Sequence, residues 1–484
     1  MSQSEDHKGS SAQPETVTEY ETKAGVEAPP LEDISQAELR KRIFNLIWPV
    51  TTDSILQMLV TFVSSGLVGR LGSLVTSVVG LSSRITQFAW ALFLGIATGT
   101  TVLVAREVGA KDPKGARHTA VQAIMVSIPI VAVLTVAMFI FAEPILKLLN
   151  AEGELLTMAM EFLSIAMFTM PFLATCQVVG GVARGMGDTK TPMMISFVVN
   201  IINAILGWAM IYGQLGLPAF GVNGAAWAQL ISQAVGAMLA IFYISSSKLS
   251  IGLRLSDFRN FSFPEAKRIL RIGIPSSAES VFWQMATMFM MGLIVTFGTV
   301  PLAAHQLGLQ AESISYMPAN GFGVAATTLI GHSLGALNPD LGKRYFKEIM
   351  RWGILVSSFA SLILLFGGNW LLGLLTNEQE VIELGAHYLF LMGFTQVPAL
   401  VTGVIGGTLR SAGDVRAPMY ISAVGMWIFR IPLSFYIGAS LGPLGGMHWG
   451  IHGVWWAMMV DLFVRLALAI WRYSRLRWDI IKAV

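Results

Sequence analysis

Three carboxylates of this 484-residue chain, Asp53, Glu279 and Glu312, sit in otherwise apolar stretches. A charged side chain at the centre of a membrane span costs ~2.5 to 3.5 kcal/mol even on insertion-based scales, so an acid kept there points to function. Such a carboxylate can exchange a proton or ligate a sodium ion and link that event to helix movement. Asp53 follows Pro49 by four residues and Glu279 follows Pro275 by four, and the two acids are offset by 226 positions (279 minus 53). Glu312 stands alone, because the same offset leads back to Thr86. The plainer role for Asp53 and Glu279 is local bonding to backbone or to Ser54, Ser276, Ser277 and Ser280.

Other charged side chains in apolar stretches are candidate ion-pair partners. Asp461 and Arg465 are four residues apart, one helical turn, and can pair on one face. Arg430, two residues before Pro432, is placed to partner Glu312 or another acid. Substrate-lining candidates are Gln57, Ser64, Asn203, Trp283, Gln284, Met285, Met288 and His305, with Met291 beside them. Met and aromatic side chains adapt to varied apolar cations. His448 and His452 have the spacing of a helical metal pair but no further ligand nearby, so no metal site is expected. No cofactor and no nucleic-acid partner is indicated. The single cysteine, Cys176, excludes an internal disulfide.

The elements that position these residues follow from composition. The chain is 54% hydrophobic and 13% charged, where soluble chains carry about 25% charged residues. Twelve apolar runs begin near Ile43, Thr76, His118, Leu155, Pro192, Val222, Arg271, Leu302, Tyr345, Gly385, Pro418 and Gly450. Each approaches the ~20 residues that cross the hydrocarbon of a bilayer. Residues 1–40 are polar and are expected to form a disordered cytoplasmic tail, without the basic start and apolar core of a cleaved signal.

Charge sets the orientation. With the N-terminus inside, the inner connections hold four clusters: Arg106 to Arg117, Lys248 to Arg271, Lys343 to Arg351 and Arg472 to Lys482. The outer side keeps only Arg70 and Lys147. That asymmetry predicts both termini in the cytoplasm of a multi-pass plasma (inner) membrane protein.

The offset that relates Asp53 to Glu279 also carries Gly109-Ala110 with Pro113 onto Gly335-Ala336 with Pro339, Gly72 onto Gly298, and Lys41-Arg42 onto Lys267-Arg268. It likewise carries Gly180-Gly181, Arg184, Gly187-Asp188 and Pro192-Met193 onto Gly406-Gly407, Arg410, Gly413-Asp414 and Pro418-Met419. Six helices per half put both halves in the membrane with the same orientation. The expected fold is therefore all-α, with two six-helix lobes related as parallel repeats about an axis along the membrane normal. The lobes are 41–247 and 267–475, the linker 248–266 and a cytoplasmic C-terminal tail 476–484. Asp188 and Asp414 are expected to cap the helices that follow, and Arg184 and Arg410 to anchor the membrane edge.

The loops resemble one family. Val68-Gly69-Arg70-Leu71-Gly72, Gly187-Asp188-Thr189-Lys190-Thr191-Pro192, Gly221-Val222-Asn223-Gly224-Ala225-Ala226, Ala303-Ala304-His305-Gln306 and Ala325 through Ala336 are similar to motifs of the multidrug and toxic compound extrusion (MATE) family, over roughly residues 40 to 475. The resemblance implies export of organic, often cationic, small molecules driven by inward flow of protons or sodium ions. The usual acids of the family are missing: one branch has an Asp where this chain has Ser64 and another four residues after Asn203, here Gly207. A second branch has a Glu near Gln284 and an Asp near Ala399. Asp53, Glu279 and Glu312 are therefore the coupling candidates.

The leading reading is a secondary active exporter, not an enzyme, working as a monomer in the lipid bilayer by rocking of its lobes. No GxxxxGK[ST] nucleotide loop is present, so energy is expected from an ion gradient, H+ or Na+ as the resemblance implies, or from a partner. A flippase for lipid-linked precursors is the alternative, although it would favour a strongly cationic cleft.

Overall fold

The computed structural model describes residues 34–148, 151–216, 218–246, 252–253, 255–439, 449–476 and 478. The first half comprises α1 (Gln36–Gly69), α2 (Ser73–Gly109), α3 (Pro113–Leu148), α4 (Gly153–Met167), α5 (Met170–Gly185), α6 (Lys190–Tyr212) and α7 (Val222–Ser245). The second repeats it with α8 (Phe263–Val295), α9 (Thr299–Gly335), α10 (Pro339–Gly373), α11 (Gln379–Gly393), α12 (Gln396–Ser411), α13 (Arg416–Gly438) and α14 (Ile451–Ser474). Residues 1–33, residues 248–251 and 254 of the linker, and all of 476–484 except 476 and 478 lie outside the described residues.

Nine of these helices are long and apolar enough to cross a membrane. Two pairs, α4 with α5 and α11 with α12, are single spans bent by 46° and 47°. Pro171 and Pro398 stand just past the two breaks and cannot donate to the carbonyl one turn back, which releases the helix there. The twelfth span is α9, as long as its repeat partner α2 but made less apolar by His305, Gln306, Gln310, Glu312 and Asn320. The chain is a multi-pass membrane protein of two six-span lobes.

Local chemistry sets the helix ends. The Ser35 hydroxyl caps α1 by accepting from the Glu38 N–H at 3.2 Å, and Asn338 caps α10 through the Leu341 N–H at 2.9 Å. α1 thus begins inside the segment expected as a disordered tail, because a capped start leads into an apolar stripe that finds a surface. Ile34, Leu39, Ile43, Leu46 and Ile47 pack against α9, α10 and α12 of the other lobe. Symmetrically, Ile269 and Ile272 of α8 pack among residues of α2 and α5.

The repeat is visible in the backbone. Gly72 and Gly298 have φ of 107° and 105°, Gly187 and Gly413 87° and 91°, and Lys111 and Leu337 both 56°. Its offset fails at the last span. There α7 and α14 start after Gly221 and Gly450, with φ of 56° and 55°, and 450 minus 221 is 229 where the rest of the chain keeps 226. The second half therefore carries three extra residues between α13 and α14.

The lobes meet at the face that carries Ile34 and Trp478, called here the terminal face. Five glycines allow the contact. A Cβ on Gly109 would overlap the His332 carbonyl oxygen, and one on Gly335 would overlap that of Arg106. Those pairs interchange under the repeat, so the pseudo-two-fold axis passes between α2 and α9 here. Gly95 against Ser277 and Gly99 against Gly273 bring α2 and α8 together in the same way. The seam is sealed by hydrogen bonds: Arg106 donates twice to the Ser411 carbonyl at 2.9 and 2.6 Å, and the Thr328 hydroxyl donates to that of Arg184 at 3.0 Å. His332 Nε2 lies 2.8 Å from the Gly185 carbonyl oxygen. Farther from this face than these bonds, the Ser313 hydroxyl donates to Met58 Sδ at 3.3 Å. Farther out, large apolar side chains stand exposed on α1 (Leu59, Phe62, Val63) and α8 (Met285, Met288, Phe289).

Gly335→Ala is therefore expected to favour separation of the lobes at the terminal face, since overpacking of this kind costs about 1–3 kcal/mol. With Cys176 replaced by Ser and Ala105→Cys as reporter, a residue fully buried against Gly331, maleimide labelling should accelerate several-fold. An unchanged labelling rate would show that the seam tolerates the extra methyl.

Candidate functional site

The acids fall into three settings. Asp461 of α14 is fully buried and takes two guanidinium groups. Arg465, one turn on, donates from Nε at 2.7 Å to Oδ1 and makes a second bond to Oδ2. Arg430 Nε lies 2.8 Å from Oδ2 as a charge contact that is not aligned as a hydrogen bond. The local fold explains the approach. α13 opens into wide π-helical turns over Val424–Arg430 and again after Pro432, which has no N–H to give, and Arg430 ends the first of them. Gly425 leaves the space for the pair, because a Cβ there would overlap Asp461 Oδ1.

Glu312 sits on α9 in the same lobe. It accepts from the Tyr388 hydroxyl and from Gln396 Nε2 at 3.1 Å. Gly308 leaves room for the Tyr388 ring, whose Cδ1 a Cβ there would strike. Tyr388 also meets His305 and Trp455 edge-on, and the Trp455 indole N–H donates to His305 Nδ1 at 3.2 Å. Arg430 acts electrostatically on both Glu312 and Asp461. Two acids and two arginines thus share one low-dielectric interior with a net charge near zero. Taking a charge out of water costs several kcal/mol unless it is compensated, so protonation or ion binding at one acid must be felt by the others.

The first lobe lacks this set. The repeat puts Thr86 at the Glu312 position, Phe162 at Tyr388, Met170 at Gln396 and Ala204 at Arg430, and the longer offset of the last span puts Ser232 and Gly236 at Asp461 and Arg465. It holds instead a cavity of about 590 Å³ lined by α1, α2, α4, α5, α6 and α7. Asp53, Gln57, Ser64, Gln177, Arg184, Ser196, Asn200, Asn203, Gln229 and Gln233 line it. Asp53 Oδ2 accepts from Gln57 Nε2 at 3.1 Å.

The third setting is Glu279, the repeat partner of Asp53. Arg410 Nη2 donates to it at 2.6 Å and the Ser422 hydroxyl at 3.0 Å. Arg410 therefore turns inward to an acid, where it was expected to anchor the membrane edge, and Arg184 likewise points into its cavity. Asp188 caps as expected, accepting from the Lys190 and Thr191 N–H groups at 3.0 Å each and from the Tyr243 hydroxyl at 2.8 Å. Asp414 does not cap; it is taken by Arg472 of α14 at 2.5 Å. A guanidinium at the end of α14 outcompetes neutral amides for a carboxylate.

The substrate-lining candidates separate into three groups. Gln57, Ser64 and Asn203 line the first-lobe cavity. Gln284, Met288 and Met291 continue along α8 the stripe of Gly273 and Ser277 that faces α2, since helical residues advance by about 100° each. Trp283 and Met285 flank that stripe and are 48% and 37% exposed. His305 is buried beneath Trp455. Sequence reasoning missed Tyr388, Gln396 and Arg184 as site residues; the first two read as ordinary span residues until α11 and α12 bring them to Glu312. No cluster of three or more metal-ligating side chains occurs among the described residues, and His448 lies outside them.

Two parallel lobes with a ligand-sized cavity and a buried charge set in the membrane define a transporter. Consistent with this, the model of the MatE family matches residues 49–209 and again 275–436, two segments whose starts keep the offset of the repeat. The chain belongs to the MatE family. It is 27% identical over 447 residues to a probable multidrug resistance protein NorM of Thermotoga maritima, covering 91% of this chain and 94% of that one. It is 25% identical over 444 residues to the multidrug resistance protein NorM of Vibrio cholerae, with 90% and 94% covered. A solved outward-facing multidrug resistance MATE transporter of the MOP superfamily superposes with a TM-score of 0.83 at 20% identity, over 92% of this chain and 97% of that one, and shares the fold.

Proposed function

We propose that the protein is a multidrug exporter of the plasma membrane that moves small organic compounds outward in exchange for protons or sodium ions. The observation that carries this reading is the charge set around Glu312, which belongs to one lobe only and is built from side chains with no counterpart in the other. The acid is held by one hydroxyl and one amide, so it can change its ionisation without breaking a direct ion pair. Asp461 is clamped by two arginines, and Glu279 is tied to Arg410; these make poorer exchangers.

With lobes 41–247 and 267–475 joined by the linker 248–266, and with the terminal face in the cytoplasm as the basic residues indicate, the seam through Gly109 and Gly335 is the closed inner gate. The described state is then open outward. Ion entry from outside reaches Glu312 and favours return of the gate to its inward-open form, in which substrate enters. The chain works as a monomer, since both lobes are present in it. A flippase of lipid-linked precursors is disfavoured by a first-lobe cavity that carries one arginine and one acid.

The test is efflux of ethidium from proteoliposomes with imposed proton or sodium gradients. Efflux should accelerate at least tenfold under one of the two. Efflux indifferent to both gradients would sink the antiport reading while leaving a facilitated carrier.

A further inference from the structure

α2 and α8 meet at the terminal face as an antiparallel pair in a fixed register. Gly95 faces Ser277, and one turn further along α2 Gly99 faces Gly273, one turn back along α8. Two more turns in the same register bring Glu107 opposite Glu265, so the end of this seam sets an acid of the first lobe against an acid at the start of α8. The two acids share their partners. The Thr119 hydroxyl of α3 lies 2.8 Å from Glu107 Oε1 and 3.1 Å from Glu265 Oε1, and Arg268 Nη1 lies 3.0 and 3.1 Å from the same two oxygens. Thr119 is buried, and the side chains of Glu107 and Glu265 are only 11% and 16% exposed. Glu107 Oε2 is buried with no hydrogen-bond partner.

The proton count does not close with both acids ionised. A hydroxyl carries one proton, so Thr119 donates to one of the two oxygens and not to both. Two carboxylates and one guanidinium also leave a net negative charge in a place largely closed to water, and like charges that share a site hold a proton between them. One added proton repairs both faults: the protonated acid donates to Thr119 Oγ1, and the hydroxyl donates on to the other acid. Neighbouring charged groups are engaged elsewhere or face outward. Arg106 donates to the Ser411 carbonyl, Arg117 of α3 pairs with Asp257 of the linker, and His332 of α9 lies on the Gly185 carbonyl. His118, Lys267 and Arg271 are exposed. The seam related by the repeat, α9 against α1, has no such pair, because Ser333, Tyr345, Leu39 and Arg42 stand at the positions of Glu107, Thr119, Glu265 and Arg268.

We propose that Glu107 and Glu265 share one proton taken from the cytoplasm and that this proton latches the inner gate. With the proton in place the two acids and Arg268 sum to zero charge, and the start of α8 stays on α2. Once the proton leaves, two carboxylates face each other across the seam and α8 separates from α2. The latch therefore holds at low cytoplasmic pH and loosens as pH rises through the titration of the pair. An exchanger that admits protons is thereby slowed as the cytoplasm acidifies. The latch rests on the reading of the terminal face as the cytoplasmic gate, and it is distinct from the coupling acid Glu312.

The experiment follows the gate alone in the purified full-length protein, so it needs neither a gradient nor a transported compound. In the Cys176→Ser, Ala105→Cys background, the maleimide labelling rate is divided by that of the same protein carrying Glu265→Gln, at each pH from about 6 to about 9; the ratio cancels the ionisation of the thiol. Glutamine keeps the length of glutamate and its amide N–H stands in for the carboxyl proton, so Glu265→Gln stays latched throughout. The ratio should rise from near one at the acid end to at least about fivefold at the alkaline end, and Glu107→Gln as divisor should give the same curve. Adding His118→Gln to both proteins should leave the rise in place. A ratio flat across the range with both divisors would overturn the latch, as would a rise lost with His118→Gln or one that follows sodium at constant pH. Ethidium efflux under imposed gradients judges the exporter reading separately, whichever way the labelling falls.

Discussion

Asp461→Ala should cost about 3–5 kcal/mol of stability, the usual penalty for breaking a buried ion pair by removing one partner. The carboxylate is fully buried, and the side chains of Arg430 and Arg465 are each only 10% exposed. Removing it leaves two guanidinium groups in a space of low dielectric, with Glu312 as the remaining acid of the set. A buried pair replaced as a whole by apolar side chains is often neutral, so Asp461→Leu combined with Arg465→Leu should recover most of the loss, with Arg430 still balanced by Glu312. Thermal unfolding followed by tryptophan fluorescence in detergent checks both. Equal melting of wild type and Asp461→Ala would mean that the arginines find water or another acid, and the buried cluster would be wrongly drawn.

Glu312→Gln should leave the fold intact and remove the response to an ion gradient. Glutamine keeps the shape of glutamate and can still accept from Tyr388, so the expected structural cost is that of one imperfect hydrogen bond, about 1 kcal/mol. Its amide cannot exchange a proton at physiological pH and ligates sodium weakly. Gradient-driven ethidium efflux should fall at least tenfold, to the rate without a gradient. Tyr388→Phe should have a smaller effect in the same direction, because Gln396 still holds the acid at 3.1 Å. Full gradient response in Glu312→Gln would move coupling to Asp53 or Glu279.

Much of this arrangement could be read from residue types alone, because repeats and spans write themselves into spacing. Gly72 and Gly298 mark the same turn, and the starts of α2 and α9 follow from them. The isolation of Glu312 was legible by subtraction, since Thr86 occupies its counterpart position. Its partners were not. Tyr388 and Gln396 are separated from it by 76 and 84 residues, and only the bent span formed by α11 and α12 brings both to it. Arg184 and Arg410 look alike in their motifs, yet only Arg410 bonds to the acid of its own lobe. The difference is a single methylene on the acid opposite, and no local pattern shows which acid that is. The three-residue insertion before α14 was equally hidden, because the glycine-rich connection offers several registers until Gly450 takes positive φ.

The most direct measurement of the central claim runs the exchange backwards. In proteoliposomes loaded with ethidium and no ion gradient, outward flow of ethidium down its own gradient should draw protons, read by a trapped pH dye, or sodium, read by tracer, in the opposite direction. The account predicts ion movement that stops with Glu312→Gln and persists with Arg184→Gln as long as ethidium moves. Ethidium flow with no ion movement above that of protein-free vesicles would contradict it.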